Sequence, residues 1–127
     1  MTTYFSPWPL GAARRSSFPE ITTYYLSPKE DFGIPPTKRS AVERVADAKQ
    51  NAEDIFAILH NAPGALSDLT LINAAGALKA SINLPYKDGV ELARESLASG
   101  KAYQKLKEFL KVSSNNTEVL EQMEESL

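Results

Sequence analysis

The sequence predicts a mainly α-helical chain with one short β-strand. Three observations lead there. From Thr37 onward the apolar residues recur at helical spacing. Ahead of that point a single run, EITTYYL at 20–26, is rich in β-branched and aromatic residues and is bounded by Pro19 and Pro28. Near the middle lies the most apolar stretch, LSDLTLINAAGALKASI at 66–82, which reads as a helix about which the others pack.

The chain has 127 residues, suited to one domain, and 43% of them are hydrophobic, enough for a packed core. The 14 basic and 16 acidic residues leave a net charge of −2, so no global attraction to nucleic acid or an anionic membrane is expected. Without cysteine there are no disulfides or thiolate metal sites, which fits a reducing compartment such as the cytoplasm. No apolar run reaches the roughly 20 residues needed to span a bilayer.

Residues 1–18 carry Pro7, Pro9 and Gly11 and lack the apolar core of a secretory signal. They are expected to be irregular. Ile21–Leu26 is expected to form the strand, which needs a partner for its backbone groups and finds no second run of comparable quality. Pro28, Gly33, Pro35 and Pro36 make 27–36 a loop, with Gly33 in a permissive turn conformation and Phe32 directed into the core. Asp31-Phe32-Gly33 matches the kinase magnesium triplet, but the accompanying catalytic and glycine-rich loops are absent.

Ser40 and Glu43 form a capping-box pattern for a short helix over Ala41–Ala46. Asp47 caps the next helix, which runs to about Asn61 with Ala52, Ile55, Phe56 and Leu59 on one stripe. Ser67 or Asp68 caps the central helix, where Ala74, Ala75, Gly76 and Ala77 permit a close neighbour. Beyond Asn83-Leu84-Pro85, the residues Tyr86, Val90, Ala93 and Leu97 mark another amphipathic helix, ended by Ser99-Gly100. Ala102, Leu106, Phe109 and Leu110 form a further stripe. Ser113–Thr117 reads as a polar linker, and Glu118–Leu127, with four acids and no base, as a frayed terminal helix.

Individual residues supply no complete catalytic constellation. His60 lies at a helix end with no assignable nucleophile or orienting carboxylate, which favours a capping or surface role. Glu30, Asp31, Asp47, Glu53 and Asp54 are the acids that invite a metal reading, yet no glycine-rich phosphate loop accompanies them, and helix-end or solvent-facing roles account for them better. Asn51 and Asn73, each followed by alanine in an apolar pattern, are expected to hold backbone groups of adjacent loops, because a buried unpaired amide costs about 1–3 kcal/mol. Asn51, Asn73, Gly33 and Phe32 are thus assigned structural roles, and no catalytic, substrate-binding or metal residue is assigned.

The order of several short motifs carries a family resemblance. Leu26-Ser27-Pro28 is followed by Asp31-Phe32-Gly33-Ile34-Pro35, and Gln50-Asn51-Ala52-Glu53 heads a helix ending near Leu59. Asp68 to Leu78 contains Leu71-Ile72-Asn73-Ala74-Ala75. Asp88-Gly89-Val90-Glu91-Leu92-Ala93-Arg94-Glu95 comes next, then Ser99-Gly100-Lys101-Ala102 and Leu106. In this combination, Ile21 to Leu110 resembles the C-terminal part of anthranilate phosphoribosyltransferase, which has a nucleoside phosphorylase-like fold.

The resemblance implies the helical C-terminal portion of a large α/β domain. Residues 19–112 would belong to that domain, flanked by the irregular 1–18, which do not resemble the family, and the acidic 113–127. It implies transfer of phosphoribosyl from phosphoribosyl pyrophosphate to anthranilate in tryptophan biosynthesis, by a homodimer in which magnesium organises the pyrophosphate. The family's Gly-Thr-Gly-Gly-Asp loop, Lys-His-Gly-Asn-Arg segment and Asp-Glu metal pair match no position here. The expectation is therefore a fragment that is inactive alone and holds no cofactor itself. The alternative is a non-catalytic helical interaction module derived from the same scaffold. Either would be only marginally stable in isolation.

Overall fold

A computed structural model describes residues 12–17, 20–43, 46–113 and 117–127, with side chains described from residue 26 onward. The architecture is mostly helical. Strands β1 (Ala12–Ser17) and β2 (Glu20–Tyr25) are followed by α1 (Pro28–Phe32), a 3-10 turn (Arg39–Ala41), α2 (Ala48–Leu59), α3 (Ala65–Ile82), α4 (Tyr86–Ala98), α5 (Lys101–Ser113) and α6 (Glu118–Glu125). No described helix is long and apolar enough to cross a membrane.

The expectation of one short, unpartnered strand is corrected. β1 and β2 pair antiparallel, with Ala12 opposite Tyr25 and Ser17 opposite Glu20. The sequence AARRSS has no β-branched or aromatic residue to mark it as a strand. What recruits it is the need of the neighbouring run to satisfy its backbone donors and acceptors. Ala12–Ser17 is accordingly regular rather than irregular. The expectations for residues 1–11 and Phe18 lie outside the described residues.

The loop expected over 27–36 contains a helical turn. Pro28 occupies the first turn of α1, where its missing N–H is not needed. The Ser27 N–H donates to Asp31 Oδ2 at 2.5 Å. Gly33 ends α1 at φ 70°, the left-handed region. Its N–H donates to the Lys29 carbonyl at 3.1 Å, and that of Ile34 to the Pro28 carbonyl at 2.9 Å. This reversal lets Phe32 and Ile34, on either side of the glycine, both enter the core.

The capping box at Ser40 and Glu43 is not formed. Lys38 precedes a short 3-10 turn instead, and Glu43 forms an exposed ion pair with Arg39 at 3.0 Å. At α2 the Asp47 carboxylate accepts the Gln50 N–H at 2.8 Å. For α3 the cap is Gly64, not Ser67 or Asp68; Ser67 is buried in the first turn, and Asp68 lies near the positive helix end.

The core sits where α1, α3 and α4 meet. Phe32, Ile34, Leu71, Ala75, Val90 and Leu97 form its buried cluster, with Leu26, Ile58, Leu59, Ile72, Tyr86, Ala93 and Ala102 packed against it. The Phe32 ring lies 4.7 Å from that of Tyr86, and Lys79 Nζ approaches the other ring at 5.9 Å from its centroid. The most extensive helix–helix interface joins α3 to α4. At its centre a Cβ added to Gly89 would stand 3.0 Å from Ala75 Cα and 3.1 Å from Ala75 Cβ. The run of small residues thus receives a close neighbour at Ala75, and that neighbour is a glycine.

Two glycines in similar helical settings should respond oppositely to alanine. Gly89→Ala forces the helices apart at a cost of about 1–3 kcal/mol, which outweighs a propensity gain of up to about 1 kcal/mol; urea denaturation should show a net loss. A Cβ at Gly76 meets nothing within 4 Å, so Gly76→Ala should raise stability by up to about 1 kcal/mol. Asp47→Ala, which removes the α2 cap, should lower stability by about 1 kcal/mol in the same measurement.

Candidate functional site

The residues assigned structural roles are not brought together. Phe32 and Gly33 adjoin at the end of α1, the former 6% exposed in the core. Asn73 lies on the exposed side of α3. With Leu71 and Ala75 pointing inward, a residue two positions beyond Leu71 falls roughly 200° around the helix and faces away from the core. Asn51 is exposed in the first turn of α2 for a similar reason of phase, since Phe56 is the inward residue there. The expectation that these amides hold neighbouring loops from buried positions is corrected on burial for both.

The five acids considered as metal ligands are dispersed. Asp31 accepts from Ser27 N–H, Asp47 caps α2, Glu53 pairs with Lys49 at 3.9 Å, and Asp54 accepts from Gln50 Nε2 at 3.3 Å. Glu30 is exposed on α1. Among the described residues no group of three or more His, Asp or Glu side chains could hold a metal ion. No chemical step is assigned through a metal at these side chains.

Chemistry-bearing side chains do converge where α2, α5 and α6 meet. His60 caps the C-terminal end of α2, its Nδ1 2.8 Å from the Phe56 carbonyl oxygen. Its ring stands 4.2 Å from that of Phe56 and 4.4 Å from that of Tyr103, and Tyr103 meets Phe56 edge-on at 5.8 Å. The Tyr103 hydroxyl donates to Glu124 Oε1 at 2.5 Å, and Lys107 Nζ donates to the same oxygen at 2.9 Å. Burial first, then the hydrogen bond to Glu124 and its negative charge, pushes the Tyr103 hydroxyl well above its ordinary value. The hydrogen bonds from Tyr103 and then Lys107 hold the Glu124 carboxyl below the usual carboxylate range.

Three members of this cluster, Tyr103, Lys107 and Glu124, were not singled out in the sequence. The available signal was the i, i+4 spacing of Tyr103 with Lys107 and of Leu120 with Glu124, which puts each pair on one helix face. The cluster is a packed junction of rings and one carboxylate. Its one hydroxyl, that of Tyr103, is held protonated by burial and by Glu124 rather than activated. A shallow depression of about 440 Å³ on α4 is lined by Glu91, Leu92, Arg94, Glu95 and Ala98. All five come from one helix, and Arg94 is paired with Glu91 at 3.7 Å.

The sequence model described as "Glycosyl transferase family, a/b domain" matches residues 12–103, and the chain belongs to that family. Its curated relatives include anthranilate phosphoribosyltransferases. That of Chromobacterium violaceum is 40% identical over 95 residues, covering 74% of this chain and 27% of that protein. That of Paraburkholderia phymatum is 38% identical over 93 residues, covering 72% and 27%. That of Methanococcoides burtonii is 35% identical over 97 residues, covering 76% and 27%. The chain thus spans about a quarter of the length of these relatives. No solved structure matches it. The family match starts at residue 12, so it takes in residues 12–18 of the segment expected to lie outside the family and leaves 1–11 unmatched.

The junction of α5 and α6 should respond to pH at both extremes. Tyr103 has a raised folded value, so its contribution is complete below the ordinary phenol range and is lost as pH rises through the folded value. Glu124 has a lowered value, so its contribution is complete above the ordinary carboxylate range and is lost as pH falls through the folded value. Titration of tyrosinate absorbance should show a late-ionising step in the folded chain, and Tyr103→Phe should remove it.

Proposed function

We propose that this chain is the helical C-terminal part of the α/β domain of an anthranilate phosphoribosyltransferase. The reaction is transfer of phosphoribosyl from phosphoribosyl pyrophosphate to anthranilate, in the cytoplasmic synthesis of tryptophan. The observation that carries the reading is the 35–40% identity to enzymes of that name over some three-quarters of this chain. The chain by itself is proposed to be inactive. It lacks the Gly-Thr-Gly-Gly-Asp and Lys-His-Gly-Asn-Arg segments expected to grip phosphate, and its described carboxylates are dispersed.

On this reading the described helices clad a sheet supplied by the remainder of the enzyme, and the working form is the assembled protein or its homodimer. Partly uncovered apolar side chains support that role. Ile55 on α2, Ile82 on α3 and Phe109 on α5 are 53%, 63% and 64% exposed. The helix α3 buries only Ser67, Leu71 and Ala75 and leaves Leu66, Leu69, Ile72 and Leu78 half-buried. These incompletely covered apolar side chains are proposed to meet the remainder of the enzyme. The same exposure favours the second reading, an interaction module without catalysis.

The chain alone, given phosphoribosyl pyrophosphate, anthranilate and Mg²⁺, should leave anthranilate fluorescence unchanged. Mixed with the preceding portion of a relative's enzyme, it should restore consumption of anthranilate. Turnover by the isolated chain would overturn the proposal. Binding to that portion without restored turnover would favour the interaction module.

A further inference from the structure

The helix α6 lies beyond the residues matched by the family, which end at Tyr103. With two turns it is too short to hold together in water unaided, because helices below roughly 12–15 residues are marginal. Its helical state therefore depends on docking. The contacts are specific. Leu120 is 8% exposed although four of the eight residues of α6 are glutamates. Glu124 accepts from both Tyr103 and Lys107, and Lys107 Nζ lies 5.7 Å from the Tyr103 ring centroid.

Tyr103 is also the ring against which the end of α2 packs, through His60 and Phe56. The interface of α2 with α3 is narrow beside that between α3 and α4. Beside Ile58 and Leu59, which pack on the core, the seating of the end of α2 falls to these rings, and the Tyr103 ring is held from its far end by α6. We infer that α6 is a releasable clasp, a helix seated on Tyr103 and Lys107 that fastens α2 to α5 and can let go without melting the α3–α4 core. Release would free the Phe56–His60 end of α2, the helix that also carries the exposed Ile55.

Hydrogen exchange on the full chain tests this. Leu120→Ala removes the apolar anchor and leaves every polar partner in place. Amides of α6 and of the last turn of α2 should then exchange at least roughly tenfold faster, while those of α3 and α4 keep their protection. Glu124→Gln, which keeps the shape and removes the charge, should move the same two segments in the same direction by less. Loss of protection in α6 with α2 unchanged would overturn the inference. So would equal loss in all helices, or a wild-type α6 exchanging at the rate of an unstructured peptide.

Discussion

The structure depends on one close approach, that of Gly89 on α4 to Ala75 on α3. Ordinary side chains at both positions would push the helices apart, since a Cβ at Gly89 already falls 3.0 Å from the Ala75 backbone. With the helices this near, Leu71, Val90 and Leu97 close over the crossing. Packing at interior density is what makes such a contact decisive, because a core that opens by a few tenths of an ångström loses dispersion contacts along its length. Phe32 and Ile34 then have a preformed surface on which to dock.

Around that crossing the described chain is built in a graded way. The Gly33 reversal ties α1 to the core, through the Phe32–Tyr86 contact on one side and buried Ile34 on the other. Farther out, α2 has a buried Phe56 but an exposed Ala52 and Ile55, and α5 leaves Phe109 and Val112 largely uncovered. Apolar exposure of that kind is common in surfaces that meet a partner or a further layer. It agrees with a chain that spans about a quarter of its relatives' length. The junction of rings with Glu124 is a different kind of contact, in which one carboxylate oxygen receives both a phenol and an ammonium donor.

Much was legible because it rests on local rules. The apolar line of Tyr86, Val90, Ala93 and Leu97 faces inward along α4, since a period near 3.6 leaves little choice of face. Asp47 caps α2 because its short carboxylate reaches the first-turn N–H groups. Where expectations failed, a longer-range demand prevailed. β1 is a strand because its neighbour needs a partner, whatever its own composition. Asn73 looked buried because its surroundings are apolar, but the position of α4 decided which side of α3 is inward.

The amino-acid order by itself determined the positions of the long helices, the small-residue run that allows a close crossing, the absence of phosphate-gripping motifs and the resemblance to one enzyme family. These are properties of spacing and residue type along the chain, and they survive without knowledge of neighbours. Only the tertiary structure decided that Gly89 is what meets Ala75 and that Ile55 and Phe109 remain uncovered. It also decided that Glu124 on α6 meets Tyr103 and Lys107 on α5, which precede it by 21 and 17 residues in the chain. The physical reason is that burial and hydrogen bonding between distant segments follow from how whole helices are placed, and periodicity specifies a face without naming what will cover it.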